Sequence, residues 1–128
     1  MKNKISAVQL FHDTFGLGSE NSPTANLNKE KNLLRFNLMK EENEEYLEAA
    51  KDNDLVEVAD ALGDMLYILC GTIIEHGMQE KIEEVFNEIQ RSNMSKLGED
   101  GKPIFREDGK VLKGPNYFKP NIKAILDK

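Results

Sequence analysis

The sequence predicts an all-α fold, a bundle of four to five helices followed by a short C-terminal β-hairpin and loop extension. Three observations carry this expectation. No Gly or Pro interrupts residues 28 to 51, apolar side chains recur three and four positions apart, and turn-forming residues gather in a few short segments. With 128 residues the chain has room for one domain around one core. We therefore expect a single domain over 1–128, with a helical core at 1–97 and a basic tail at 98–128.

Ile5, Val8, Leu10, Phe11 and Phe15 predict a first helix with a partly apolar face, ending near Gly16 and Gly18. The run from Gly16 to Leu27, rich in Gly, Ser, Asn and Pro, is a loop. From Asn28 to Lys51, Leu34, Leu38, Glu41, Glu42, Glu45 and Leu47 recur at helical spacing, so a second, longer helix follows. Asp52-Asn53-Asp54 breaks it. Asp54 and Glu57 have capping-box spacing, which starts a third helix running to Glu75. The short link makes these two helices an antiparallel hairpin. Met65 to Ile74 is apolar almost all round, which predicts a central position or an oligomer interface. His76-Gly77 ends that helix, and Gln79 to Leu97 reads as a fourth, with Ile82, Val85, Phe86, Ile89 and Met94 on one side. Ile104-Phe105 and Val111-Leu112 flank Asp108-Gly109, a hairpin signal, and Asn121 to Leu126 closes the chain with one or two helical turns.

The longest apolar stretch, ten residues, is far below the roughly 20 needed to span a bilayer. No apolar signal core follows Met1-Lys2-Asn3-Lys4, and the single cysteine, Cys70, lies among apolar residues as a buried thiol; both point to a reducing cytoplasm. Residues 1 to 95 hold 18 acidic and 9 basic side chains, whereas 96 to 128 hold 5 acidic and 8 basic. An acidic body argues against nucleic acid as a partner, because polyanion binding rests on basic surface. A polyphosphate can still bind through metal ions.

Lys40-Glu41-Glu42-Asn43-Glu44-Glu45 alone is what a solvated helix face looks like. Glu57, Asp60 and Asp64 differ, since they recur at helical spacing in an apolar helix that offers no local Lys or Arg. Burial there is expected, and buried acids need a pairing cation. Residues three apart share a helix face, so Glu42 with Glu45 and Glu57 with Asp60 each present two carboxylates side by side, and the hairpin brings the pairs together. Hard oxygen donors suit magnesium or manganese; no Cys or His cluster favours zinc. Di-iron bundles use Glu-x-x-His, and neither His12 nor His76 has a Glu three residues before it.

With Glu41-Glu42-Asn43-Glu44-Glu45 followed on the next helix by Glu57-Val58-Ala59-Asp60, the chain resembles the MazG-like all-α nucleoside triphosphate pyrophosphohydrolases. Phe11-His12, Arg35, Asn93-Met94-Ser95-Lys96, Lys110 through Lys113 and Tyr117 look like one branch with a basic C-terminal extension. The resemblance implies Glu42, Glu45, Glu57 and Asp60 as ligands of magnesium, for which manganese substitutes, and Glu41 as a further ligand or water-orienting base. It implies substrate contacts at Asn93, Lys96, Lys110 and Lys113. Arg35 offers positive charge to phosphate oxygens. Tyr117 is a candidate to stack on a base, although an aromatic near Pro120 also suits packing. His12 is read as structural. The 11 residues between Glu45 and Glu57 are few for the family, so the link must be tight.

The implied reaction is hydrolysis of a nucleoside or deoxynucleoside triphosphate to the monophosphate and pyrophosphate, by a homodimer or higher oligomer. Two alternatives stand beside it: the same fold acting on phosphoribosyl-ATP, and a non-catalytic helical dimerisation module whose acids are simply solvated.

Overall fold

The computed structural model describes residues 1–128 and has the element order α1 (Lys2–Phe15), α2 (Lys29–Lys51), α3 (Leu55–Glu75), α4 (Ile82–Met94), β1 (Ile104–Phe105), β2 (Val111–Leu112) and α5 (Ile122–Leu126). The fold is all-α, with one two-stranded antiparallel ribbon in which Ile104 faces Leu112 and Phe105 faces Val111. No helix is long and apolar enough to cross a membrane. The chain forms two compact units, Met1–Glu80 and Lys81–Lys128.

In the first unit, α3 packs against both α1 and α2. Each boundary has a local cause. α1 ends where Gly16 turns left-handed, at φ 71°, and its N–H returns to the His12 carbonyl. α2 starts at Asn28, whose side chain accepts the Lys31 N–H at 2.8 Å. Between α2 and α3 only Asp52, Asn53 and Asp54 intervene; Asn53 takes φ 55°, and Asp54 caps α3 by accepting the Glu57 N–H at 3.2 Å. Ile5 and Val8 of α1 are buried, as are Ala61, Cys70, Ile73 and Ile74 of α3. Burial pushes the Cys70 thiol up, which makes it a packing residue.

A polar cluster runs through this packing. Glu75, only 3% exposed, sits on α3 with Lys31 Nζ 3.1 Å and Arg35 Nε 3.2 Å away on α2. Arg35 also donates from Nε to Thr72 Oγ1 at 2.9 Å and from Nη2 to the Ile68 carbonyl at 2.8 Å. Burial lowers the Arg35 pKa, and the Glu75 charge works against that. His12 of α1, also buried, pairs through Nδ1 with the Gly18 carbonyl at 3.1 Å. A Cβ on Gly71 would stand 2.7 Å from Arg35 Nη2 and 2.8 Å from His12 Nε2. Glycine inside a helix costs about 1 kcal/mol relative to alanine, and here it is what lets the three helices bring their polar side chains together.

Two expectations are revised in this unit. α3 is central, yet Leu62, Leu66, Tyr67 and Leu69 remain exposed, because α1 and α2 cover only part of its circumference. The acids of its first turns are not buried: Glu57 and Asp60 are exposed and Asp64 is half-buried. α1 meets α3 around Gly63, Tyr67 and Cys70.

In the second unit, α4 groups with the residues that follow it. Ser92 Oγ donates to the Phe118 carbonyl at 2.8 Å, Arg91 lies 4.3 Å from the centre of the Phe118 ring, and Lys128 pairs with Glu84 at 2.7 Å. α4 is also shorter than the sequence suggested, since residues 79 to 81 form a turn and Ser95 caps the end.

Replacing Arg35 with Ala leaves the buried Glu75 carboxylate with Lys31 as its one ion-pair partner. The expected loss is about 3 kcal/mol of unfolding free energy, readable as a lowered urea midpoint; a variant as stable as the parent would show that the cluster carries no such role.

Candidate functional site

Arg35 and Thr72 face one another across the hairpin, and from that pairing the helical repeat places the rest. Two turns on along α2 is Glu42, and about two turns back along α3 is Asp64. The next turn brings Glu45 opposite Asp60. The Glu42 carboxyl is pushed up to about 7, first by burial, then by a hydrogen bond shared with Glu45, and further by the charges of Glu45, Asp64 and Asp60. Its Oε2 is buried and has no hydrogen-bond partner.

Beyond Glu45 the seam opens into a cleft of about 460 Å³ lined by Glu45, Glu48, Ala49, Asp52, Asp54, Glu57 and Asp60. Six of these seven residues are acids and none is basic. None of the cleft acids, nor Glu42 or Asp64, takes part in an ion pair. By contrast Glu75, at the other end of the hairpin, is matched by Lys31 and Arg35, and in the second unit Glu84 is matched by Lys128 and Glu88 by Arg91. Unmatched carboxylates gathered on two facing helices repel one another, and a cation relieves the repulsion.

The donor set fits a hard divalent ion, because it is all carboxylate oxygen and contains an orphaned buried oxygen at Glu42. In this conformation no three acids, histidines or cysteines converge as a ligand set. Glu45, Glu57 and Asp60 are exposed and held by no ion pair, so their rotamers can change.

Of the residues singled out in the sequence, Glu42, Glu45, Glu57 and Asp60 therefore lie along one seam. Glu41 is exposed and does not line the cleft. Arg35 is occupied by Glu75, Thr72 and Ile68. Asn93, Lys96, Lys110, Lys113 and Tyr117 all belong to the second unit, where the Lys113 ammonium lies 4.8 Å from the centre of the Tyr117 ring. Three acids gain importance that the sequence reading did not give them. Glu48 follows Glu45 by three positions, as Asp64 follows Asp60 by four, a signal that was visible, whereas Asp52 and Asp54 were read only as breaker and cap.

With this seam in view, the match to known families is decisive: residues 8–93, more than half of the chain and both acid-bearing helices, fit the family described as phosphoribosyl-ATP pyrophosphohydrolase. The chain belongs to this pyrophosphohydrolase family. Its fold is similar to the crystal structure of a protein from Exiguobacterium sp. 255-15, provisionally described as an NTP pyrophosphohydrolase. That match has 27% sequence identity and a TM-score of 0.53, covering 98% of this chain and 94% of the other. No curated protein matches the sequence.

The Glu42 shift fixes the sign of a pH effect in metal-free protein. Its folded pKa of about 7 exceeds the ordinary 4.5, so between those values the folded state binds more protons, and stability falls as pH rises through that window. Glu42→Gln removes this slope. Thermal melts in chelator should show the variant gaining on the parent at pH 8 relative to pH 5; parallel profiles would contradict the crowding of Glu42 by its neighbours.

Proposed function

We propose that the chain is a magnesium-dependent hydrolase that splits a nucleoside or deoxynucleoside triphosphate into the monophosphate and pyrophosphate. The observation that carries this reading is the unpaired acidic seam between α2 and α3, in a chain whose family is a pyrophosphohydrolase family. Glu42, Glu45, Glu57 and Asp60 are the proposed ligands, with manganese able to substitute. Magnesium, when bound, supplies the positive charge that lets phosphates approach this surface and acidifies the attacking water.

The chain's own residues have separate tasks. The carboxylates hold the charge-neutralising ions in place and exclude a phosphate that arrives without them. Glu41, beside the seam, is proposed to orient the water and accept its proton as the phosphorus–oxygen bond forms and the bridging oxygen leaves with pyrophosphate. Asn93, Lys96, Lys110, Lys113 and Tyr117 are proposed substrate contacts, supported by the basic excess of residues 96 to 128. Arg35 is proposed to act on substrate mainly by fixing the hairpin that carries the acids.

A second reading, phosphoribosyl-ATP as substrate, is favoured by the description of the matching family. We further propose a homodimer, supported by the apolar side chains that α2 and α3 leave exposed, among them Leu47, Leu62 and Leu66. A cytoplasmic setting accords with the lone, buried, free thiol of Cys70.

The deciding experiment is incubation with each common ribo- and deoxyribonucleoside triphosphate, and with phosphoribosyl-ATP, in the presence of magnesium. Pyrophosphate and a monophosphate are the expected products; orthophosphate release alone, or no turnover of any substrate, would overturn the reading. Glu42→Ala and Asp60→Ala should each abolish turnover while far-UV circular dichroism stays helical. Sedimentation velocity should give twice the 14.5 kDa chain mass, and a monomer at micromolar concentration would rule the dimer out.

A further inference from the structure

The two glycines of α3 differ in what surrounds them. Gly71 is enclosed by Arg35 and His12, whereas a Cβ on Gly63 would meet nothing within 4 Å. Glycine weakens a helix interior relative to alanine, and nothing in the packing of this chain accounts for it at position 63. Gly63 follows Asp60, which lines the acidic cleft, by three positions, so the two are neighbours on the surface of α3. A bare stretch of helix beside the acids suits the close approach of a group from outside the chain.

The helical repeat shows what lies further along the same flank. Tyr67 follows Asp60 by seven positions, close to two whole turns, so it stands within ~20° of Asp60 around α3 and ~10 Å along it. On α2, Leu38 precedes Glu45, and Leu34 precedes Glu41, by the same seven. Acids, Tyr67 and these leucines therefore share one flank of the hairpin. α1 adds two rings there. Phe11 meets Tyr67 edge-on with 5.7 Å between ring centres, and Phe15 packs against Phe11 at 4.5 Å. All three rings are open to solvent, Phe15 at 66% and Tyr67 at 44%. Gly63 and Tyr67 also line one crevice between α3 and α1, with Lys4 at its side. The leucines offered above to a second copy do not explain this cluster. Leu47 and Leu62 stand two positions beyond Glu45 and Asp60, ~160° around their helices from those acids. One flank thus carries carboxylates, then a bare glycine, then exposed aromatic rings, in the order of the phosphates, sugar and base of a nucleotide.

We propose that the nucleoside of the substrate crosses α3 at Gly63 and sets its base against the rings of Phe11, Phe15 and Tyr67, with its phosphates towards Asp60 and Glu45. The proposal rests on the nucleotide reading given above and assigns the residues that receive the base. Phe11 and Phe15 offer no donor or acceptor, so the base is held by its face, and purines and pyrimidines are both taken. Gly63, Phe11 and Phe15 are binding residues in it, with no part in the bond cleavage.

The test compares Gly63→Leu, Phe11→Ala and Phe11→Tyr with the parent on nucleoside triphosphates and magnesium, using inorganic tripolyphosphate as a competitive inhibitor that has no base. Gly63→Leu should melt at or above the parent temperature, because leucine favours helix, yet raise KM about tenfold; a lowered melting temperature or an unchanged KM overturns the assignment. Loss of stacking in Phe11→Ala should also raise KM about tenfold, with the tripolyphosphate inhibition constant unchanged, and Phe11→Tyr should restore KM. An equal weakening of tripolyphosphate overturns the proposal, as does a changed sedimentation coefficient in either variant, since the flank then serves a subunit contact. In the parent, KM should agree within about tenfold for purine and pyrimidine triphosphates; a preference of a hundredfold or more contradicts recognition by the face. Saturation-transfer NMR with adenosine and cytidine, without metal, separates this proposal from the catalytic one. Nucleoside signals seen with the parent and lost with Gly63→Leu support the flank even if no triphosphate is cleaved; no nucleoside signal with the parent, alongside intact hydrolysis, removes the base site and leaves the activity standing.

Discussion

The buried carboxylate of Glu75, held by Lys31 and Arg35, is the contact on which the rest of the first unit depends. Removing a carboxylate from water is costly, and two cations from the facing helix offset that cost only in one register. A slip of α2 by one turn would strand Glu75 and leave Arg35 away from Thr72 and Ile68. The gain is specificity more than net stability, since attraction in such pairs roughly cancels desolvation. What the specified register delivers is the meeting of Glu42 and Glu45 with Asp60 and Asp64, two turns away.

The two ends of the hairpin apply one electrostatic rule with opposite outcomes. Near Glu75 every carboxylate oxygen has a cation beside it, and the result is a rigid joint between helices. Near Asn53 six acids line a cleft with no cation among them, and the result is stored repulsion that an ion from solution can relieve. Fold and chemistry are thus separated along the same pair of helices.

Much of this was legible in the sequence because it is local. Asn28, the Asp54–Glu57 pair and Gly16 mark helix ends through backbone geometry, and the structure places the ends of α1, α2 and α3 there. Asp108-Gly109 likewise gave the ribbon between β1 and β2. Non-local facts were hidden. Nothing in the spacing of Arg35 and Glu75, forty positions apart, reveals that they pair, and Gly71 reads as a weak point in a helix until His12 and Arg35 are seen beside it. The exposure of Glu57 and Asp60 was misread because hydrophobic pattern says which helix is central without saying how far its neighbours extend. The partners of α4, Phe118 and Lys128, were hidden for a related reason: they lie more than twenty residues downstream.

The brevity of the Asp52-Asn53-Asp54 link has a consequence of its own. Each residue added to or removed from a helix end turns everything beyond it by ~100°, and a link of three leaves no slack to absorb such a change. Chain length between Glu45 and Glu57 therefore acts as a chemical parameter, setting the angle at which one helix shows its oxygens to the other. In that sense the spacing is as much a component of the site as any side chain within it.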